Sequence, residues 1–269
     1  MSENSSSSHR HLGKAAKNAA DHSVAVTAKR AFKWSALLGL PLWVLIAFVT
    51  GQVLVSSVLA LLGWAGVPLS SFVGESAIRT VIAALVYSLT LAIAIGLPYV
   101  LWRRKTSLEE LGLSRLVSWS DIALSPVGFV AYGLLTTVTL TVVTTLITGF
   151  PADQVQDTGF SAFGTRADNL LAFATLVVIA PIAEEILFRG YLYGKLKRYV
   201  PAVVAAIATS LLFGAVHLQW NVAVDVFVLS LVLCGLRSLT GSIWAGILVH
   251  MIKNGIAYYI LFVSPLVGA

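Results

Sequence analysis

The stretch DNLLAFATLVVIAPIAEEILFRGYLYG, residues 168–194, decides the fold class and also carries an anomaly. It is predominantly apolar and longer than the ~20 residues that an α-helix needs to cross ~30 Å of hydrocarbon. It nevertheless contains Glu184, Glu185 and Arg189. A charge at the centre of a membrane helix costs ~2.5–3.5 kcal/mol even on a lenient insertion scale, so these three residues are functional candidates.

The composition of the whole chain indicates a membrane protein. Of 269 residues, 58% are hydrophobic and only 11% are charged, well below the ~25% charged residues of an average soluble domain. Seven apolar segments can be drawn, at 35–63, 80–102, 121–149, 168–194, 201–218, 221–236 and 241–263. We therefore predict an all-α polytopic membrane protein, a bundle of about seven transmembrane helices with an intramembrane polar cavity. The fifth and sixth segments are short, and they can form one tight hairpin that does not fully cross the membrane.

The basic residues fall in clusters that share one side of this predicted bundle. They lie within 14–33, 103–115 and 195–198, and Arg237 follows the sixth segment. The positive-inside rule places the N-terminus in the cytoplasm and the C-terminus outside, in a membrane that we expect to be a bacterial plasma membrane. The net charge of +6 therefore reports topology. No basic stripe with interleaved aromatic residues indicates nucleic-acid binding.

Three regions are predicted along the chain. Residues 1–33 form a polar tail without an apolar core of its own, which we expect to be disordered. Residues 34–164 hold the first three membrane helices and a cytosolic loop, and residues 165–265 form the C-terminal transmembrane core. In the loop, Thr106 and Glu109 have the spacing of a helix capping box.

Ionisable residues inside apolar segments concentrate in the last four segments. They are Glu184, Glu185, Arg189, His217, Asp225, His250 and Lys253, together with the amide Asn254. At 1.5 Å per helical residue from the basic end, Glu184, His217 and His250 all lie about 20–24 Å deep, and Asp225 about 18 Å. This shared depth predicts one site. The first three segments are almost purely apolar with Ser and Thr, so we expect no ionisable partners from them.

The spacing within residues 180–190 divides the three charges by role. Glu185 and Arg189 are four residues apart, so they share a helix face in the favourable acid-before-base order and predict an ion pair. Glu184 is rotated ~100° from Glu185 and has no such partner in its own helix. Pro181 removes a backbone hydrogen bond one turn earlier, which kinks the helix and favours a cavity.

This set of residues can hydrolyse an amide bond. Glu184 and His217 can hold and deprotonate a water molecule, while His250 and Asn254 can supply donors to an oxyanion. Alternatively, Glu184, His217 and His250 can bind Zn²⁺ with an open coordination position. The chain has a single cysteine, Cys234, which excludes an intrachain disulfide and a Cys-based metal cluster.

Asp225 and Lys253 belong to no catalytic motif. Asp225 either orients His217 as a hydrogen-bond acceptor or lies at the outer interface near Trp220. Lys253 is expected to extend toward the interface or to face a cavity. Asp225 is therefore a supporting residue in this interpretation, together with Glu185 and Arg189.

Three motifs occur in a fixed order on separate predicted helices. EEILFR at 184–189 matches EExxxR, FGAVH at 213–217 matches FxxxH, and HMIKN at 250–254 matches HxxxN. Together they resemble the CPBP family of intramembrane proteases, over about Asp168 to Val263. That family includes the CAAX prenyl proteases, which remove a C-terminal tripeptide from prenylated proteins, and bacterial members linked to bacteriocin production and self-immunity.

The resemblance implies roles for the motif residues. Glu184 would be the general base acting with His217, and His250 and Asn254 would form the oxyanion hole. Glu185 and Arg189 would support the site. The family is classed among metalloproteases, but glutamate can also activate water without a metal, so both Zn²⁺ and metal-free chemistry stay open.

The function predicted from the sequence is therefore an intramembrane endopeptidase that acts on a membrane-embedded peptide or protein. Two other classes compete with this interpretation. A non-catalytic bacteriocin-immunity or scaffold protein would hold a receptor or peptide through the same residues. A transporter or proton relay would need internal repeats and a continuous polar path, and the sequence shows neither.

Overall fold

The computed structural model describes residues 32–156, 158–160 and 164–264. The predicted polar tail at 1–33 lies almost entirely outside these ranges. All helices of the described residues lie within one compact unit, Lys33–Ala269. The described residues are mainly helical and contain no β-strand, so the all-α prediction is confirmed.

Within the described ranges, seven helices form the bundle. They are α1 (Trp34–Trp64), α2 (Glu75–Trp102), α3 (Trp119–Leu146), α4 (Arg166–Leu196), α5 (Ala202–Ala215), α6 (Trp220–Thr240) and α7 (Trp244–Val263). All except α5 are long and apolar enough to cross a membrane. The sequence predicted α5 and α6 to be short, and this holds only for α5. Its 14 residues extend about 21 Å, less than the ~30 Å of a hydrocarbon core.

The helices differ strongly in how much of their surface is buried. In the most apolar part of α6, half of the residues are buried, against 11% in the corresponding parts of α2 and α3. Helix α6 packs against α5, α3 and α7, while α1 packs mainly against α2. The apolar side chains that α1, α2 and α3 leave exposed suit a lipid environment, because lipid satisfies an apolar surface as well as protein does. Helices α4 and α6 are therefore the most buried helices of the bundle.

The loop between α2 and α3 is docked against the end of α4. It holds a short helix, Leu108–Leu111, whose cap is Ser107, since the Ser107 hydroxyl accepts a hydrogen bond from the Glu110 backbone N–H. The prediction that Thr106 caps this helix is therefore wrong by one residue. The Glu110 carboxylate accepts a hydrogen bond of 2.7 Å from Arg198 and one of 3.4 Å from Lys195. These contacts tie the loop to the basic end of α4.

Helix α4 is not a regular α-helix. Two segments, Ala174–Ile179 and Glu185–Tyr193, are π-helical. In a π-helix each N–H bonds to the carbonyl five residues earlier, and such segments occur frequently at functional sites. Here the two π segments flank the short α-helical stretch Ala180–Glu184. The glutamate pair thus lies at the junction between an α-helical and a π-helical segment.

Candidate active site

The carboxylate of Glu184 faces the interior of the bundle between α2 and α7. Its Oε1 accepts a hydrogen bond of 2.6 Å from the Tyr87 hydroxyl. Its Oε2 lies 3.7 Å from Nε2 of His250. The side chain is 14% exposed, so the carboxylate is partly open to the space beside it. Glu184 therefore combines fixed partners with access to a small molecule.

Glu185 points to a different set of partners and is completely buried. Its Oε1 accepts a hydrogen bond of 2.7 Å from Arg189, as the four-residue spacing predicts. The same oxygen lies 3.1 Å from Nδ1 of His250. The Arg189 guanidinium also stacks over the Phe213 ring, at 4.3 Å from the ring centroid. The ion pair therefore holds His250 and Phe213 in place around the Glu184 carboxylate.

His217 lies in the turn that follows α5. Its Nδ1 is 2.7 Å from the backbone oxygen of Phe213. A carbonyl oxygen only accepts, so Nδ1 carries the hydrogen, and Nε2 of the neutral ring is left with a free lone pair. The His217 and His250 rings both pack edge-on against Phe213, with ring centroids 5.0 Å and 6.0 Å from it. One aromatic side chain thus sets the positions of both imidazoles.

Asn254 is anchored to a carbonyl that Pro181 leaves without a donor. In the π-helical segment, the Ala180 N–H bonds to the Thr175 oxygen, so the next donor in register would be residue 181, bonding to Leu176. Proline has no N–H. The Leu176 oxygen instead accepts a hydrogen bond of 2.8 Å from the Asn254 amide. A carbonyl oxygen only accepts hydrogen bonds, so this contact fixes which end of the Asn254 amide is the nitrogen. The second hydrogen of that nitrogen has no partner among the described hydrogen bonds.

These side chains line a cavity of about 260 Å³ in the bundle. Its polar lining includes Tyr87, Glu184, His217, His250, Lys253 and Asn254. Gln156 and Thr158, from the loop between α3 and α4, also line it. The predicted residues Glu184, His217, His250 and Asn254 are therefore neighbours around a single space that is large enough for water and part of a peptide chain.

Asp225 lies beside this group without lining the cavity. It accepts a hydrogen bond from the Tyr132 hydroxyl, and its Oδ2 forms an ion pair of 3.2 Å with Lys253. The His217 Nδ1 binds the Phe213 oxygen, so it is not held by Asp225. The partner of Asp225 is thus Lys253, whose ammonium group borders the cavity.

Two tyrosines were missed by sequence reasoning. Tyr87 on α2 binds Glu184, and Tyr132 on α3 binds Asp225. The expectation that the first three helices offer no ionisable partners is therefore wrong. A polar tip on a mostly apolar side chain lowers the cost of burial and suits a membrane helix. The one available signal was that both tyrosines lie within apolar segments, away from the interfaces that tyrosine prefers.

The residues present do not form a metal centre in the part of the chain that the structure describes. No group of three or more His, Cys, Asp and Glu side chains there is arranged to hold an ion. A zinc site requires three protein donors at about 2.0–2.2 Å from a common point. Glu184, His217 and His250 share a cavity without making such a set, and we therefore derive no chemical step through a metal.

The fold and the site together define a polytopic membrane protein with a buried carboxylate–imidazole cavity. Residues 166–256 match the family model described as Type II CAAX prenyl endopeptidase Rce1-like. This match confirms the resemblance predicted from the three motifs. It supports a CAAX-protease-like intramembrane endopeptidase in general, and it covers the helices that build the cavity core.

A curated relative gives no further functional information. An Escherichia coli protein, described as an uncharacterized 24.3 kDa protein, is 33% identical over 89 residues. These residues make up 31% of this chain and 41% of that protein. The chain thus spans about two fifths of the length of the curated relative it matches. No solved structure matches the chain.

Proposed function

We propose that this protein is an intramembrane endopeptidase that hydrolyses a peptide bond near the membrane, in the manner of the CAAX proteases. The observation that carries the proposal is the cavity itself. A partly accessible Glu184 carboxylate shares it with two imidazoles, His217 and His250, and with the amide of Asn254. In a low-dielectric space these groups act strongly on a polar reaction centre.

In this proposal, Glu184 and His217 activate the attacking water molecule. One hydrogen of the attacking water bonds to Glu184, which takes that proton as general base. The other bonds to Nε2 of His217, whose lone pair is free because Nδ1 donates to the Phe213 carbonyl. The water oxygen then attacks the scissile carbonyl carbon. Tyr87 holds the carboxylate of Glu184 in position through its 2.6 Å hydrogen bond.

Two side chains of α7, His250 and Asn254, stabilise the oxyanion in this proposal. In its imidazolium form, His250 donates from Nδ1 to Glu185 and presents an Nε2–H toward the cavity. Asn254 donates one amide hydrogen to Leu176, and its second amide hydrogen can serve the same oxygen. Because Glu185 and the Leu176 oxygen already hold these two side chains, we expect little reorganisation as negative charge develops. Glu184 finally returns its proton to the leaving amine, which completes the hydrolysis.

The substrate class follows from where the cavity lies. We expect a peptide or protein that is itself embedded in or adjacent to the bilayer, since the cavity is enclosed by membrane-spanning helices. The basic clusters support an N-terminus in the cytoplasm and a C-terminus outside, by the positive-inside rule. Residues 165–265 form the catalytic core in this proposal, and Tyr87 of α2 adds to it.

The proposal can be tested without knowing the substrate. Purified wild-type protein and the Glu184→Gln variant are each incubated in liposomes with total membrane protein, and new peptide termini are counted by mass spectrometry. We expect the variant to lose about 10²–10⁴-fold of the activity, the usual contribution of a general base. Glu75→Gln is the matched control, because Glu75 is exposed and paired only with Arg79 in the described chain.

The same experiment separates the protease from its rival. A non-catalytic immunity or scaffold protein would generate no termini that depend on Glu184. Equal yields of new termini from wild type and Glu184→Gln would therefore overturn the proposal. Glu184→Gln also provides a trap, because it keeps the size of the side chain while removing the base. Its captured partners identify the natural substrate.

A further inference from the structure

A second cavity lies at the basic end of the bundle, away from the Glu184 site. It measures about 470 Å³ and is bordered by the start of α1 and the ends of α2 and α4. Three cations line it: Lys33, Arg104 and Lys195. No carboxylate is among its lining residues. From this charge and position, we propose that the cavity binds a phosphate group, presented by the headgroup of an anionic lipid.

Aromatic side chains hold the cations in place. The Lys33 ammonium lies over the Tyr199 ring at 5.4 Å from the centroid, and the Lys195 ammonium lies over the Tyr191 ring at 5.2 Å. Cation–π contacts of this kind orient an ammonium group without neutralising it. The cavity therefore keeps positive charge available for a ligand.

Arg104 is positioned by the backbone where α2 ends. The preceding Arg103 adopts a left-handed conformation with φ 55°, and the Arg104 N–H bonds to the Pro98 oxygen at 3.1 Å. Arg104 and Lys33 form no ion pair with any described carboxylate, whereas Lys195 shares Glu110 with Arg198. Two of the three cations are thus uncompensated within the described chain.

The surroundings of the cavity match the headgroup layer of a bilayer. Trp43 and Trp102 both border it and contact each other edge-to-face, with ring centroids 6.1 Å apart. The Trp43 indole donates a hydrogen bond of 3.0 Å to the Ala94 oxygen. Trp102 is the last residue of α2, and tryptophan at such a helix end prefers the membrane interface. Basic pockets between membrane helices bind anionic lipid headgroups. The cations therefore stand at the depth where lipid phosphates lie.

Lipid binding by the full-length chain tests this site. Affinity for phosphatidylglycerol is measured in phosphatidylcholine nanodiscs by native mass spectrometry and by titration. We expect Arg104→Gln to bind phosphatidylglycerol about fivefold more weakly, and Arg104→Gln with Lys33→Gln about 25-fold more weakly. Lys105→Gln is the matched control, because it is a neighbouring exposed cation that does not line the cavity. It should stay within about twofold of wild type.

Competing inorganic phosphate identifies the source of the bound group. Displacement of the lipid shows that free phosphate also fits the site, whereas retention shows that the lipid headgroup is required, and both results support a phosphate site. Equal losses in Arg104→Gln and Lys105→Gln would overturn it, as would equal retention of phosphatidylglycerol and phosphatidylcholine by wild type. Glu184→Gln should bind lipid normally, so a failure of this inference is distinct from a failure of the proposed protease.

Discussion

Replacing Arg189 by methionine gives the sharpest test of how the site is supported. The change removes the guanidinium and keeps a long apolar side chain, so the loss of packing is small. Glu185 is then left as a fully buried carboxylate that has lost its 2.7 Å ion pair. The Phe213 ring also loses the guanidinium stacked at 4.3 Å. Glu185, Arg189 and Phe213 are all buried, so water does not replace the lost contacts.

The size of the effect follows from this burial. Removing one partner of a buried ion pair costs about 3–5 kcal/mol. His250 remains 3.1 Å from Glu185 and offsets part of that cost, so we expect about 3 kcal/mol. For a large domain each kcal/mol lowers the unfolding midpoint by roughly 2–4 °C. Arg189→Met should therefore lower the midpoint by about 6–12 °C.

The assay is thermal unfolding in detergent, followed by circular dichroism and by the loss of monodisperse protein. The matched control is Arg79→Met, which breaks a pair of the same i,i+4 spacing. Arg79 and Glu75 are 45% and 74% exposed, so that change should cost no more than about 1 kcal/mol. Equal midpoints for the two variants would refute the reasoning. Adding Glu185→Gln to Arg189→Met should restore part of the lost stability, because no buried charge is then unpaired.

Two further outcomes test groups outside the three motifs. Tyr87→Phe removes a hydrogen bond to the Glu184 carboxylate worth about 1.5–3 kcal/mol, so we expect kcat to fall at least about tenfold with KM unchanged; an unchanged kcat would exclude a positioning role. Burial alone would raise the pKa of Glu110, but the Arg198 hydrogen bond and the charge of Lys195 outweigh it and lower that pKa. Its stabilisation is thus present above the ordinary carboxyl pKa and is lost as pH falls through the lowered value. The unfolding midpoints of wild type and Glu110→Gln should therefore differ at neutral pH and converge in acid, and a difference that persists in acid would contradict this.

The sequence alone predicts the features that depend on residues close together in the chain. Apolar segment lengths predict the bundle, because the bilayer allows few alternatives to helices. The four-residue spacing of Glu185 and Arg189 predicts their ion pair, because a helix places such residues side by side. Counting depth from the basic helix ends correctly predicted that Glu184 and His250 lie near each other.

The parts that sequence reasoning missed depend on contacts between distant segments. Tyr87 is 97 positions from Glu184, and no periodicity within α2 reveals which side chain its hydroxyl meets. The pairing of Asp225 with Lys253 depends on how α6 and α7 rotate against each other. The π-helical register of α4 also has no simple signal, although Pro181 marks where a backbone donor is missing. These two side-chain contacts and the π-helical register all depend on how the helices pack against each other.

The π-helical segments of α4 affect how the site responds to a change in chain length. Each π segment fits its residues into a wider turn than an α-helix does. This wide turn holds about one extra residue, so removing one residue from Ala174–Ile179 would let the segment relax to α-helix while Glu184 keeps its direction toward His250. Removing one residue from the α-helical stretch Arg166–Phe173 would instead rotate Glu184 by ~100° relative to the start of the helix. The position of a deletion within α4 therefore matters more to the site than the number of residues between Asp168 and Glu184.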